Sequence, residues 1–226
     1  MMSDARESIT FPRFCDRTIR NRLPGEQAQK RMAPVPNNRP AVKDVKELET
    51  QHSAVMIICA LSDPVSLLYT LRPRSLANHG GQISFPGGRQ ENGESLLNTA
   101  QRETAEEVGI PPDHYEVVGC LSPLFVPVSR YIIHPWLAFC DPRPEIRIRP
   151  MEVSEAFWVQ LDDLLDEQKV KTREQILRNN KYKIPFWDIH SVVPLWGATA
   201  MITSEIVTLY RDFLNHKDRT SRCPPE

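Results

Sequence analysis

The chain has 226 residues, 40% of them apolar and 25% charged, with a formal net charge of −1. That suits one generous soluble domain, or one domain with a terminal extension, and a chain this long can bury a core without staples. The near-neutral balance gives no footprint for nucleic acid or an anionic membrane, so neither is expected as a partner.

Five cysteines (Cys15, Cys59, Cys120, Cys140 and Cys223) are scattered, with no CxxC or zinc spacing, and are expected to be mostly buried reduced thiols. No apolar run approaches the roughly 20 residues of a membrane span. The N-terminus lacks a signal-peptide apolar core, and Asp4, Glu7 and Asp16 argue against a transit peptide. Cytoplasm is the expected compartment.

Residues 1–46 stand apart as a basic, proline-rich arm, with ten Lys/Arg against five Asp/Glu and Pro24, Pro34, Pro36 and Pro40. Phe14–Leu23 reads as a short helix, and "LPGEQAQKRMAPVPNNRP" as a turn, a helical turn and an extended segment. Such an arm wraps a domain or lines a phosphate site. The main domain is assigned to 47–216 and a polar, frayed tail to 217–226. "SAVMIICAL" is a continuous apolar run that predicts a buried strand, and "VSLLYTLRP" makes a hairpin with it over 53–71. "GQISFP" is a short third strand. The period turns helical from Ser95 to Val108. "YEVVGCLSPLFV", "YIIHPWLAFC" and "VSEAFWVQL" are further strands, the last followed by the acidic turn "DDLLDE". "YKIPFWDI" is a late strand, and "WGATAMITSEIVTLYRDFLN" a terminal helix. Without a βαβ alternation, the expected class is α/β (α+β), a mixed sheet with helices packed on it.

The helix in the middle carries an oddity. Leu97, Ala100, Thr104 and Val108 lie within about 80° of one another and form its buried stripe. Glu103, Glu106 and Glu107 crowd an adjacent arc about 100° wide. Glu103–Glu106 and Glu103–Glu107 repel at i,i+3 and i,i+4, and the acids sit toward the C-terminal end, the wrong one for the helix dipole. A solvated acidic face is the bland reading. The sharper one is a hard divalent cation, which takes several oxygens at about 2.1 Å from neighbouring helical turns. The tight "FPGG" loop upstream can bring a backbone carbonyl close, and Arg102 can orient a carboxylate.

The spacing is Gly88, five residues, Glu94, seven residues, Arg102-Glu103, two residues, Glu106-Glu107, one residue, Gly109-Ile110. This resembles the Nudix box, complete in its Gly, Arg and Glu positions; Thr104 stands where the family usually has an aliphatic residue. Upstream, Leu67-Leu68, Thr70, Arg72, His79, Gly81 and Phe85-Pro86-Gly87-Gly88 are similar to the motif of the coenzyme A pyrophosphatase branch of that family. "LPGEQAQKRMAP" and "PLWGATA" look like that branch too, so the resemblance covers about residues 20–215. The branch commonly has a basic residue where this chain has Ala77.

The resemblance implies a mixed-sheet α/β/α sandwich that hydrolyses a nucleoside diphosphate linked to another group. It implies Glu103, Glu106 and Glu107 as ligands of Mg²⁺ or Mn²⁺, the Gly88 carbonyl as a further ligand, Glu94 as loop support and Arg102 as the group that fixes the glutamates. It allows a homodimer. The chemistry is coherent, because divalent ions both clamp phosphate oxygens and activate water. The general base is Glu103 or, from outside the box, Glu152 or Glu155. Arg72, Arg74, His79 and Gly87 are the candidate substrate contacts; Arg72 and Arg74 offer the planar donor fork that suits phosphate. One of Trp136, Phe157, Trp158, Trp187 and Trp196 can stack adenine, although aromatics are more often core. The expected substrate is a small CoA-like nucleotide: coenzyme A or acyl-CoA, cleaved to 3′,5′-ADP and 4′-phosphopantetheine or its acyl form. ADP-ribose, NADH or another nucleotide sugar is the alternative that Ala77 keeps open. A non-catalytic nucleotide sensor or scaffold is the alternative of a different class.

Overall fold

Continuous apolar runs become the middle of the sheet. The computed structural model describes residues 9–36, 50–76, 79–127, 129–177 and 180–222. Ala77, Cys223, Pro40 with the rest of the arm from 37 to 46, and the last four residues of the tail lie outside the described residues. In chain order the elements are α1 (Phe11–Asn21), α2 (Gly25–Gln29), β1 (Val35–Pro36), β2 (Gln51–Ala60), β3 (Ser66–Leu71), β4 (Ile83–Ser84) and β5 (Gly87–Arg89). Then come α3 (Leu96–Val108), β6 (Glu116–Cys120), β7 (Leu124–Val126), β8 (Tyr131–Cys140), β9 (Glu155–Gln160) and α4 (Leu161–Leu165). β10 (Val170–Leu177), β11 (Asn180–Trp187), β12 (Leu195–Trp196) and α5 (Gly197–Arg222) complete the chain.

Among the described residues, the larger sheet has eight strands in the order β4-β3-β2-β8-β6, with β5 on β2, β7 on β8 and β9 on β3. β2 and β8 are parallel along their whole length, from Gln51 opposite Tyr131 to Ala60 opposite Cys140. A parallel pair is covered on both faces, which is why both segments read as unbroken apolar runs. Ala54, Met56, Ile58 and Ala60 face α3 with Ala100 and Val108. Ile57 and Cys59 face the other way, with Leu67, Tyr69, Leu137 and Phe139, onto Ile206, Leu209 and Tyr210 of α5. The mixed sheet is thus held between α3 and α5. No helix among the described residues is long and apolar enough to cross a membrane.

Several expectations shift. α1 starts at Phe11, three residues before the sequence pattern suggests, because Pro12 sits in its first turn where its missing N–H costs nothing. Phe11, Cys15 and Met32 join the core beneath α5, so the front of the arm is folded onto the domain. The strand expected over 115–126 is two strands, β6 and β7, both paired with β8; a bulge between Val117 and Gly119 and the break at Leu121–Pro123 separate them. A second sheet of four strands, β1-β11-β10 with β12 on β11, includes β10, which the sequence reading left unassigned. Its sequence, VKTREQIL, is mostly polar and lies at the sheet edge, so it carries little apolar signal. α5 continues to Arg222, beyond the expected start of the tail at 217.

Candidate active site

The loop before α3 is shaped by two glycines that pair with β2. A Cβ on Gly87 would run into the Ala54 carbonyl and Val55, and a Cβ on Gly88 would overlap the Glu103 carboxylate. With no side chains there, the backbone of β5 fits between β2 and the acids of α3. The Gly87 N–H donates to Glu107 Oε2 at 3.2 Å. α3 is capped at its start by Ser95, whose hydroxyl accepts from the Asn98 N–H at 3.1 Å. It ends at Gly109, left-handed with φ 69°. Thr104 is fully buried on the stripe and satisfies its hydroxyl by donating to the Ala100 carbonyl at 2.6 Å.

The acids fall into three settings. Glu94 accepts a two-pronged contact from Arg102, Nε at 3.0 Å and Nη2 at 3.2 Å, and a further bond from Thr99. The Arg102 bonds hold its carboxyl below the usual range, which makes it a brace for the loop. Glu103 accepts from Arg102 Nη1 at 2.9 Å, yet burial raises its pKa, helped by Glu106 and Glu152 nearby. Glu107 is 2% exposed, and burial pushes its carboxyl up to about 8 against the pull of the Gly87 N–H and Arg72. Arg72 leaves β3 and reaches Glu107 Oε1 through Nη1 at 3.4 Å. Glu106 is exposed, 3.7 Å from Arg102 Nη1 and 3.9 Å from Arg149 Nη1.

A segment distant in sequence closes the site. The N–H groups of Arg147 and Arg149 donate to the Val108 and Glu107 carbonyls at 2.8 and 3.0 Å, filling acceptors that the end of a helix leaves open. A Cβ on Gly109 would lie 2.9 Å from Arg147, so the glycine lets this strap approach. The strap carries Glu152 to the helix. One oxygen each of Glu103, Glu107 and Glu152 lie within 4.8 Å of one another. An all-oxygen set from two elements, with one member buried against its own ionisation, fits a hard divalent cation such as Mg²⁺ or Mn²⁺.

The other candidates are placed elsewhere. Arg74 is exposed in the turn after β3, its side chain against Gly81. His79 has φ 57°, and its Nδ1 lies 3.1 Å from Gln82 Oε1 within the same loop. The Glu155 carboxylate is 3.3 Å from His190 Nε2. His190 Nδ1 accepts from the Val192 and Val193 N–H groups, so the proton sits on Nε2 and points at Glu155. Arg149 was missed altogether; its only trace in the sequence is a basic residue near Glu152, an arrangement common on any surface. Cys15, Cys59, Cys120 and Cys140 are free thiols.

The family model for the NUDIX domain matches residues 50–179. The chain is 33% identical over 163 residues to the uncharacterized Nudix hydrolase NudL of Salmonella dublin, covering 71% of this chain and 83% of that one. It is 30% identical over 157 residues to NudL of Photorhabdus laumondii, covering 69% and 83%. Among solved structures, the NUDIX domain of Shewanella oneidensis NrtR complexed with ADP ribose aligns with a TM-score of 0.49 at 17% identity, over 76% of this chain and 94% of that one. With its mixed sheet between helices and the glutamate-rich helix set on one face, the chain belongs to the Nudix family.

Proposed function

We propose that this protein hydrolyses the diphosphate bridge of a nucleotide-containing small molecule with the help of Mg²⁺ or Mn²⁺, and that coenzyme A or an acyl-CoA is the substrate. The observation that carries the reaction class is the convergence of Glu103, Glu107 and Glu152 within 4.8 Å. Three carboxylates so close are unfavourable without a cation, and a diphosphate is the kind of substrate that needs one. A divalent ion held there would offset the charge of the phosphates and favour ionised water.

The residues divide the remaining work. Glu103 and Glu107 would hold the ion, with Glu106 and the Gly88 carbonyl as candidate further ligands. Arg102, forked on Glu94, fixes Glu103. Glu152 is the base: it comes from the strap rather than the helix, and it is the most exposed of the three clustered acids. It takes the proton as the water oxygen bonds to phosphorus and the bridging P–O bond breaks, with the electron pair leaving on the other phosphate. Arg72 steadies the anionic substrate.

The CoA preference is supported by the motif from Leu67 to Gly88 and by "LPGEQAQKRMAP" and "PLWGATA". ADP-ribose or NADH is the second reading, favoured by Ala77 where the CoA branch is commonly basic. Product analysis with Mg²⁺ decides between them. Coenzyme A is expected to give 3′,5′-ADP and 4′-phosphopantetheine, with kcat/KM above that for NADH and ADP-ribose. Faster cleavage of ADP-ribose would reverse the substrate assignment, and no cleavage of any of the three would remove the hydrolase reading.

A further inference from the structure

The glutamates around the site are matched by three arginines, and the three are held very differently. Arg102 is 26% exposed and fully engaged: it grips Glu94 with two nitrogens, Glu103 with a third, and donates to the Arg89 carbonyl. Arg72 makes a long contact to Glu107 at 3.4 Å. Arg149 is 54% exposed and reaches two acids through one nitrogen, Glu152 at 3.1 Å and Glu106 at 3.9 Å. Its backbone, by contrast, is pinned. The N–H is bonded to Glu107, and the carbonyl accepts from Glu152 and Val153, each at 2.9 Å. A fixed root with a loosely held cationic head is the arrangement of a group that changes partners.

We propose that Arg149 is a resident counter-cation, which bridges Glu106 and Glu152 in the metal-free protein, is displaced from them when a divalent ion binds, and then pairs with a phosphate of the substrate. The inference rests on the metal-dependent diphosphate reading above and adds an order of events to it. A doubly charged ion beside Glu152 repels a guanidinium bonded to the same carboxylate. The head is exposed and can swing, whereas Arg102 is locked by its fork. Once free, it offers a diphosphate the paired N–H groups that suit phosphate oxygens. Glu152 is released at the same moment to take a proton. Metal binding and substrate binding are then positively coupled through one side chain.

The experiment measures binding, not turnover. Mn²⁺ is titrated into the full-length protein by electron paramagnetic resonance and calorimetry, followed by the non-hydrolysable diphosphate α,β-methylene-ADP in saturating Mn²⁺. Arg149→Gln should bind Mn²⁺ about threefold or more tightly than the wild type, since a half-exposed competing charge is gone. The same variant should bind α,β-methylene-ADP about tenfold more weakly, the size of one lost charge-assisted contact. Arg149→Lys should fall between the two proteins in both titrations. Arg147→Gln, whose side chain pairs with exposed Glu145, should match the wild type. Unchanged or weaker Mn²⁺ binding by a folded Arg149→Gln protein overturns the exchange while leaving the hydrolase reading intact. A wild type that binds no Mn²⁺ overturns both.

Discussion

Each face of the large sheet buries a glutamate, and the two have opposite surroundings. On the α5 face, Glu205 is fully buried and accepts from three donors: the Ser122 hydroxyl at 2.7 Å, Gln29 Nε2 at 3.1 Å and the Gly25 N–H at 3.1 Å. Those donors come from α2, its start and the β6–β7 connection, so the carboxylate ties the N-terminal segment to α5. On the α3 face, Glu107 is almost as deeply buried and also accepts from a glycine N–H. Among the described residues it has only Arg72 besides, at the edge of bonding distance, and it shares its space with Glu103 and Glu152. A buried carboxylate surrounded by donors holds structure together. One left facing other carboxylates is unfavourable by itself, a cost that the proposed cation would offset.

The comparison is tested most severely by exchanging charge for an amide at Glu107. Glu107→Gln should lose about 10³-fold in kcat/KM, since a ligand to an ion that steadies the transition state is worth several kcal/mol. Its thermal midpoint without metal should match or exceed that of the wild type at neutral pH, because the substitution removes the cost of keeping a buried carboxyl protonated and keeps the shape. A midpoint well below the wild type would put Glu107 in the same structural class as Glu205.

Glu205→Ala should do the reverse. Three donors, of which Gln29 is buried and Gly25 and Ser122 half-buried, lose their acceptor, which costs about 3 kcal/mol in denaturant unfolding, while kcat of the protein that remains folded is unchanged. Loss of kcat in the folded fraction would show that the α2 anchor reaches the chemistry.

The gentlest probe is pH. The folded-state pKa of Glu107 is raised by burial, from its ordinary value of 4.5 to about 8. The folded protein therefore binds a proton that the unfolded chain releases. This contribution favours folding most below about pH 4.5, fades as pH rises toward about 8, and is absent above that. Glu94 runs the other way: its lowered pKa stabilises the fold above the ordinary carboxylate range and is lost as pH falls. Without metal, the stability difference between wild type and Glu107→Gln should widen in favour of the variant from pH 5 to pH 8. Saturating Mg²⁺ should erase that trend, since the ion selects the ionised carboxylate. A difference that stays flat with pH in chelator would mean that Glu107 is not held neutral.

How much of this was legible depends on the range of the physics involved. The spacing of α3, its glycines and its crowded acids could be read directly, because helix geometry places residues seven apart on one face whatever surrounds them. β2, β8 and α5 were legible for a similar reason: a covered strand or an amphipathic helix writes its environment into its own pattern. β5 was not, since Gly87-Gly88-Arg89 has no strand preference and is held in the sheet by β2. β10 was hidden by its polar composition. Glu152 was one of two equal candidates with Glu155 until the fold turned one toward Glu103 and Glu107 and the other toward His190.

The sequence by itself determined that three glutamates would share one helical arc with an arginine beside them, a consequence of local periodicity. Only the tertiary structure decided their different fates: Glu107 buried, Glu106 left at the rim, and Glu152 and Arg149 brought in by a strap more than 40 residues further along the chain. Burial and long-range charge pairing depend on which backbone closes over a side chain, and in this protein that closure is set by two hydrogen bonds to the last turn of a helix and by a glycine with no Cβ in the way.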